Sequence, residues 1–214
     1  MFSIIVSIKD NVMYETTLYP SLQPIIKFLR DNHFSDLQII KVSGDKSITK
    51  NYNRGMNQAK YPIKIFIHED VDLMDADNKL LFIKIMHMFD DPETGLVGLV
   101  GTKAKSKSFW WECEKKDMVG HVLNGRHKEY WLWDCKKEYY NVKYIDGMFM
   151  ATDTNIPFSE DITGFHLYDV DYCNVVRKNN YKIKVIPHLV NHISSGKSLD
   201  KVDIDYYQKK WGLV

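Results

Sequence analysis

Cysteine is scarce in this sequence: Cys113, Cys135 and Cys173 are the only three, and none forms a Cys-x-x-Cys pair. An odd, scattered set excludes a disulfide framework and argues against a structural zinc site, and it fits a reducing compartment. Long apolar runs are missing too. The opening stretch Phe2-Ser3-Ile4-Ile5-Val6-Ser7-Ile8 is too short to span a bilayer and carries neither a basic leader nor a cleavage site. Charge of one sign is absent as a block, and the formal net charge is +1, so no nucleic-acid partner is expected. Internal repeats, low-complexity tracts and linkers are lacking as well. The expectation is a cytoplasmic protein without a transmembrane segment, with room for peripheral contact with a membrane.

What is present is an ordinary globular composition enriched in aromatic residues, 13% of a 214-residue chain, a length that one α/β domain fills. Residues 3–8 read as a buried central strand. Pro20 and Pro24 open a helical pattern whose apolar face is Ile25, Ile26, Phe28 and Leu29. A strand follows at Leu37–Val42 and stops at Ser43-Gly44-Asp45. Ile48, Tyr52, Met56 and Ala59 then recur at helical spacing, and Ile63–Ile67 is a strand running into His68-Glu69-Asp70. A helix over 76–89 and a strand at Leu96–Val100 complete an alternation that predicts a parallel, doubly wound sheet. Residues 108–150 read as hairpins and loops and hold Trp110, Trp111, Trp131 and Trp133. A helix over about 165–178, a strand at Tyr181–Ile186 and a packing helix at Asp203–Trp211 follow. One domain is predicted, with a nucleotide half over about 1–105 and an acceptor half over about 106–214.

In open α/β sheets ligands sit beyond the carboxyl ends of the strands. His68-Glu69-Asp70 ends a buried strand, where one carboxylate suits a diphosphate-bound Mg²⁺ or Mn²⁺; an acidic turn leading to the next helix reads equally well. Asp169 and Asp171 fall in the first turns of a helix, where the macrodipole favours negative charge, and an aspartate there is also placed to take a proton from a hydroxyl. His192 is followed by Ser194, Ser195, Gly196 and Lys197, small and basic residues suited to a phosphate; His188 is a lesser rival, and a structural histidine is the alternative. The aromatic cluster of Trp110, Trp111, Tyr130, Trp131 and Trp133 serves either as a platform for sugar rings or as core.

In order and spacing these segments resemble the GT-A fold glycosyltransferases, near the family-2 type and its small bacterial-like branch. The likeness runs from the Ile4–Ser7 strand through Asn53-Arg54-Gly55, similar to that group's Arg-Asn-x-Gly helix. It continues through His68-Glu69-Asp70, the Gly98–Gly101 strand and Asp146-Gly147-Met148-Phe149-Met150, and ends with Tyr168-Asp169-Val170-Asp171 and His192-x-x-x-Gly196. The resemblance implies an α/β Rossmann-like, mostly parallel sheet flanked by helices. It implies Asp70 and His192 as ligands of Mn²⁺ or Mg²⁺, with Ser7, Lys9, Ser43, Gly44, Asn53, His68, Glu69, Ser195 and Lys197 around the donor nucleotide. Asp169 becomes the catalytic base, and Trp110, Trp111, Gly147 and Asp171 face the acceptor. Two positions depart from the family's pattern: His68 stands where its first aspartate is usual, and Tyr168 where a glutamate precedes the base.

The activity so implied is inverting, metal-dependent sugar transfer from a UDP- or GDP-type sugar to a hydroxyl of a glycan, a lipid-linked glycan or a protein. A catalytically silent sugar- or nucleotide-binding module is the alternative. A sugar-nucleotide pyrophosphorylase is a weaker one, because Ser7-Ile8-Lys9-Asp10-Asn11 lacks the glycine-rich loop that enzyme needs.

Overall fold

The computed structural model describes the chain except residues 33–36, 75–77, 105–108, 126–128, 195–200 and 214. Strand β1 (Phe2–Ser7) is followed by a single turn α1 (Asn11–Met13), a π-helical stretch at Tyr14–Leu18, and α2 (Tyr19–Asp31). Next come β2 (Leu37–Val42), α3 (Ile48–Met56), β3 (Ile63–His68), β4 (Val71–Asp72), α4 (Asn78–Met88), β5 (Thr94–Gly98) and β6 (Gly101–Thr102). The second half holds β7 (Met118–Val119), β8 (His121–Asn124), β9 (Glu129–Leu132), β10 (Tyr140–Val142), β11 (Tyr144–Ile145) and β12 (Phe149–Thr152). It closes with α5 (Tyr168–Lys178), β13 (Lys182–Val185), β14 (Leu189–His192) and α6 (Lys201–Trp211).

A seven-stranded sheet in the order β10-β13-β5-β12-β3-β1-β2 forms the centre. Its members β1, β2, β3, β5 and β13 share one direction, while β12 and β10 run against them. All six residues of β1 are buried, as expected of a strand covered on both faces. The fold is thus α/β, and the sequence expectation of a mostly parallel sheet holds.

One helix begins earlier than its prolines suggest. The Asp10 carboxylate accepts from the Val12 and Met13 N–H groups, an N-cap that starts the coil at Asn11. Pro20 sits in the first turn of α2, whereas Pro24 lies inside it. Downstream, the hairpin region builds a second sheet, β4-β14-β8-β9, and a third, β11-β6-β7.

Register places the working ends together. Ser7 pairs with Val42 on one side and His68 on the other, so three strand ends lie level. Because β12 is antiparallel to β3, it starts where β3 stops, and the His68 N–H donates to the Met148 carbonyl. An aromatic cluster of Tyr52, Phe66, Phe158, Tyr168 and Tyr172, with ring centroids 4.0–6.4 Å apart, joins α3, β3 and α5 beneath these ends. Gly55 permits the close approach of α3 to β1, since a Cβ there would run into Ile5. No helix among the described residues is long and apolar enough to cross a membrane.

Candidate active site

Beyond the end of β3 the chain turns sharply, and Asp70 becomes buried with its two oxygens differently employed. Oδ2 accepts from the Ser194 N–H at 3.0 Å and from the Ser194 hydroxyl. Oδ1 lies 3.5 Å from His192 Nε2 and 4.0 Å from His68 Nδ1. The second sheet makes this possible: β14 pairs with β4, His192 opposite Val71, and the Ile193 N–H donates to the Asp70 carbonyl. His68, Asp70 and His192 therefore present three ligand atoms within 4.8 Å of one another, a group that could hold a metal ion.

Their electrostatics interlock. Burial tends to raise Asp70, but the hydrogen bond and charge of His192, with Ser194, hold its carboxyl well below the usual range. Burial works to lower His192, and Asp70 more than reverses it. His68, pressed by burial and by the neighbouring His192, falls to about 4 and is neutral at ordinary pH.

The second centre is Asp169, 8% exposed at the start of α5. Its oxygens accept from the Gly147 N–H at 3.2 Å and from its neighbour Val170 N–H at 2.9 Å. Burial, assisted by the charge of Asp146, raises it to about 7. Leu167, just before α5, adopts a left-handed backbone (φ +63°), an uncommon conformation for a bulky residue. Its strain is held by burial at 1% exposure.

In the half expected to meet the nucleotide, α3 ties the strand ends together. Asn51 donates to the Ser7 hydroxyl at 3.0 Å and to the Asp45 carbonyl at 3.3 Å. Arg54 donates to the Asn51 side-chain oxygen Oδ1 at 2.8 Å and to the Ser43 backbone carbonyl. Ser43 and Gly44 lie exposed on the turn after β2. Asn53 faces elsewhere, gripping the Phe158 backbone through its N–H (2.8 Å) and carbonyl (2.9 Å). Glu69 accepts from the Lys9 and Asp10 N–H groups at 2.6 and 3.0 Å, tying the end of β1 to that of β3.

On the expected acceptor side, Trp110 is 6% exposed and Trp111 is 43% exposed. Trp111 stacks on Phe109 at 4.8 Å and meets Trp110 in a T-shaped contact at 5.9 Å. Asp171, 1% exposed, is engaged by Lys210 at 2.9 Å and the Trp211 indole N–H at 2.8 Å. Gly147 adjoins Asp169 and Tyr168. His188 is buried and outside the three-residue group. Ser195 and Lys197, with Gly196, lie outside the described residues.

The sequence reading overlooked Asn51 and gave no site role to Arg54, Asp146 or Tyr168, although it quoted the last three within motifs. Asn51 and Arg54 had a usable signal, an i,i+3 pair on one helix face. Tyr168, whose hydroxyl lies 2.5 Å from His68 Nε2, had none beyond its place beside Asp169.

The model of the family described as "Glycosyltransferase like family" matches residues 3–211. No curated protein matches the chain in sequence. Among solved structures, GalNAc-T7 with UDP, GalNAc and Mn²⁺ is similar at a TM-score of 0.59 and 9% identity, covering 97% of this chain and 47% of its own. TarS residues 1–349 of S. aureus gives 0.53 and 14%, over 90% of this chain and 60% of its own. The same protein with UDP-GlcNAc gives 0.53 and 13%, over 92% and 59%. This chain thus spans between about half and three-fifths of the chains it resembles.

Proposed function

The chain belongs to the glycosyltransferase-like family whose model covers residues 3–211, and on that premise we propose that it transfers a sugar from a nucleoside-diphosphate sugar to an acceptor hydroxyl, with inversion at the anomeric carbon. The observation that carries this reading is Asp169, an enclosed carboxylate of raised proton affinity, set through Gly147 and Tyr168 beside the His68–Asp70–His192 group.

The donor set fits a divalent ion. Two imidazole nitrogens and one carboxylate oxygen converge, and Asp70 keeps Oδ1 free of the Ser194 bonds that hold Oδ2. Asp70 and His192 would hold Mn²⁺ or Mg²⁺ there. Such an ion supplies positive charge against the departing nucleoside diphosphate.

The chain's own groups do the rest. Ser7 and the Ser43–Gly44 turn, fixed by Asn51 and Arg54, meet the nucleoside. Asp169 accepts the proton of the acceptor hydroxyl as that oxygen bonds to the anomeric carbon. The bond to the diphosphate oxygen breaks on the opposite face, so the configuration inverts. A base near pKa 7 is matched to neutral pH, and such positioned bases contribute about 10²–10⁴ in rate. Trp111, 43% exposed, is the ring of the Trp110–Trp111 pair offered to an acceptor sugar. The uridine nucleotides held by GalNAc-T7 and TarS favour a UDP-sugar donor over a GDP-sugar.

Calorimetry with UDP and GDP in the presence of Mn²⁺ tests the binding half of this reading. Asp70→Ala and His192→Ala should each weaken metal-dependent nucleotide binding at least tenfold. Unchanged affinity in both variants would sink the metal assignment. Release of free sugar from the donor, measured without acceptor, separates an enzyme from a silent binding module.

A further inference from the structure

His68 stands where the sequence pattern leads one to expect an aspartate, and its ring is pinned at both nitrogens. Nε2 lies 2.5 Å from the Tyr168 hydroxyl, and Nδ1 lies 3.4 Å from His192 Nε2 and 4.0 Å from Asp70 Oδ1. A neutral imidazole carries one N–H, and its partners decide which nitrogen bears it. His192 Nε2 is placed to donate to Asp70 Oδ1 at 3.5 Å. A proton on His68 Nδ1 would face that N–H head-on. The His68 proton therefore belongs on Nε2, donated to the Tyr168 oxygen, which leaves the Nδ1 lone pair bare.

The tyrosine is itself held. Its ring packs against Tyr52 and Phe158 at 6.0 and 6.4 Å, and the left-handed Leu167 sets its direction of departure. Gly147 leaves the space it needs: a Cβ at that position would lie 2.5 Å from Tyr168 Cζ. Side chains that fix the tautomer of a ligating histidine this way are commonly worth 10–100-fold in metal affinity.

We propose that His68 is a third donor of the metal site, oriented by Tyr168, and that the resulting pair of imidazole nitrogens with one carboxylate oxygen selects a first-row transition ion over Mg²⁺. This rests on the reading that Asp70 and His192 hold a divalent ion. The selectivity follows from donor type: imidazole suits transition ions, whose affinities rise from Mn²⁺ towards Co²⁺ and Ni²⁺. Mg²⁺ demands oxygen ligands and gives up its water reluctantly.

The test uses the metal-free full chain. Nitrogen chemical shifts of His68 should report the Nε2–H tautomer in the wild type and a mixture in Tyr168→Phe and Gly147→Ala. Calorimetric titration should rank Co²⁺ above Mn²⁺ and Mn²⁺ above Mg²⁺. Tyr168→Phe should lower Co²⁺ affinity about 10–100-fold while moving that of Mg²⁺ far less. A His68 proton on Nδ1 in the wild type overturns the inference. So does a Tyr168→Phe protein that melts at a lower temperature but keeps the wild-type ratio of Co²⁺ to Mg²⁺ affinity, which is what a purely structural tyrosine would give. Loss of Co²⁺ binding in Asp70→Ala, with none in His68→Gln, rejects the third donor and leaves the two-ligand reading standing. A wild-type chain that takes none of the three ions rejects both.

Discussion

In Asp169→Asn the side chain keeps its shape and loses both its charge and its ability to take a proton. Folding carries this carboxyl from an ordinary 3.8 to about 7, chiefly through burial. At 1.36 kcal/mol for each tenfold change in proton affinity, ionising it in the folded protein costs about 4 kcal/mol. Between pH 4 and 7 the folded chain holds a proton that the unfolded chain has released. Stability contributed by this group is therefore lost as pH rises through that window, and is flat above it. Asparagine does not titrate and escapes the loss. Its amide nitrogen must, however, replace one acceptor oxygen facing the Gly147 or Val170 N–H, at a cost of about 1–3 kcal/mol. The difference in stability between variant and wild type should move by about 4 kcal/mol from pH 4 to pH 8, favouring the variant at the alkaline end. Urea unfolding of the metal-free chain across that range measures it. Meanwhile kcat should fall about 10²–10⁴-fold with nucleotide affinity unchanged, and the wild-type kcat should climb with pH to a plateau above about 7. A stability difference independent of pH would refute the buried-carboxyl argument. A kcat within tenfold of wild type would refute the base.

The aromatic pair predicts opposite phenotypes. Trp111→Ala should raise the acceptor KM severalfold and leave nucleotide affinity alone, whereas Trp110→Ala should destabilise the fold by about 3–5 kcal/mol, seen as a lower urea midpoint. Gly55→Ala gains helix propensity of about 1 kcal/mol, yet its Cβ would overlap Ile5. A net loss of about 1–3 kcal/mol is expected, with weaker nucleotide binding as Asn51 and Arg54 shift; a stabilised variant would contradict the close approach of α3 to β1.

The central strands were legible because each is an apolar run bounded by turn residues, and burial of β1 and β3 on both faces imposes that pattern. The second sheet was not. Strand β9 has all four residues exposed, so no alternation marks it, and β4 is two residues long. Asp70, Asp169 and His192 could be picked out as polar groups at element ends. Asn51 and Asn53 illustrate the limit: two positions apart on one helix they point to nearly opposite sides, and only the partners decide which side meets Ser7. Tyr168 stood out as a departure from the family's pattern, but its contact with His68 was unreadable for a related reason. Its role depends on a histidine 100 residues away and on a missing methyl group at Gly147, neither of which leaves a periodic trace.

Because β12 runs against β3, the Asp146–Met148 turn reaches the end of β3 without a crossover helix, and β14 must then bring His192 back to His68 from 124 residues along the chain. No N-terminal piece that stops before His192 contains all three of these side chains, so an ion held by them would report folding through β14 rather than local structure. By mass action an ion at a hundredfold excess over its Kd would raise the stability of such a chain by about 2.7 kcal/mol. A nascent chain still lacking β14 would gain nothing from it. An ion taken up by this group would thus act as a ratchet on the molecule's maturation, tightening only after the last strand of the second sheet has docked.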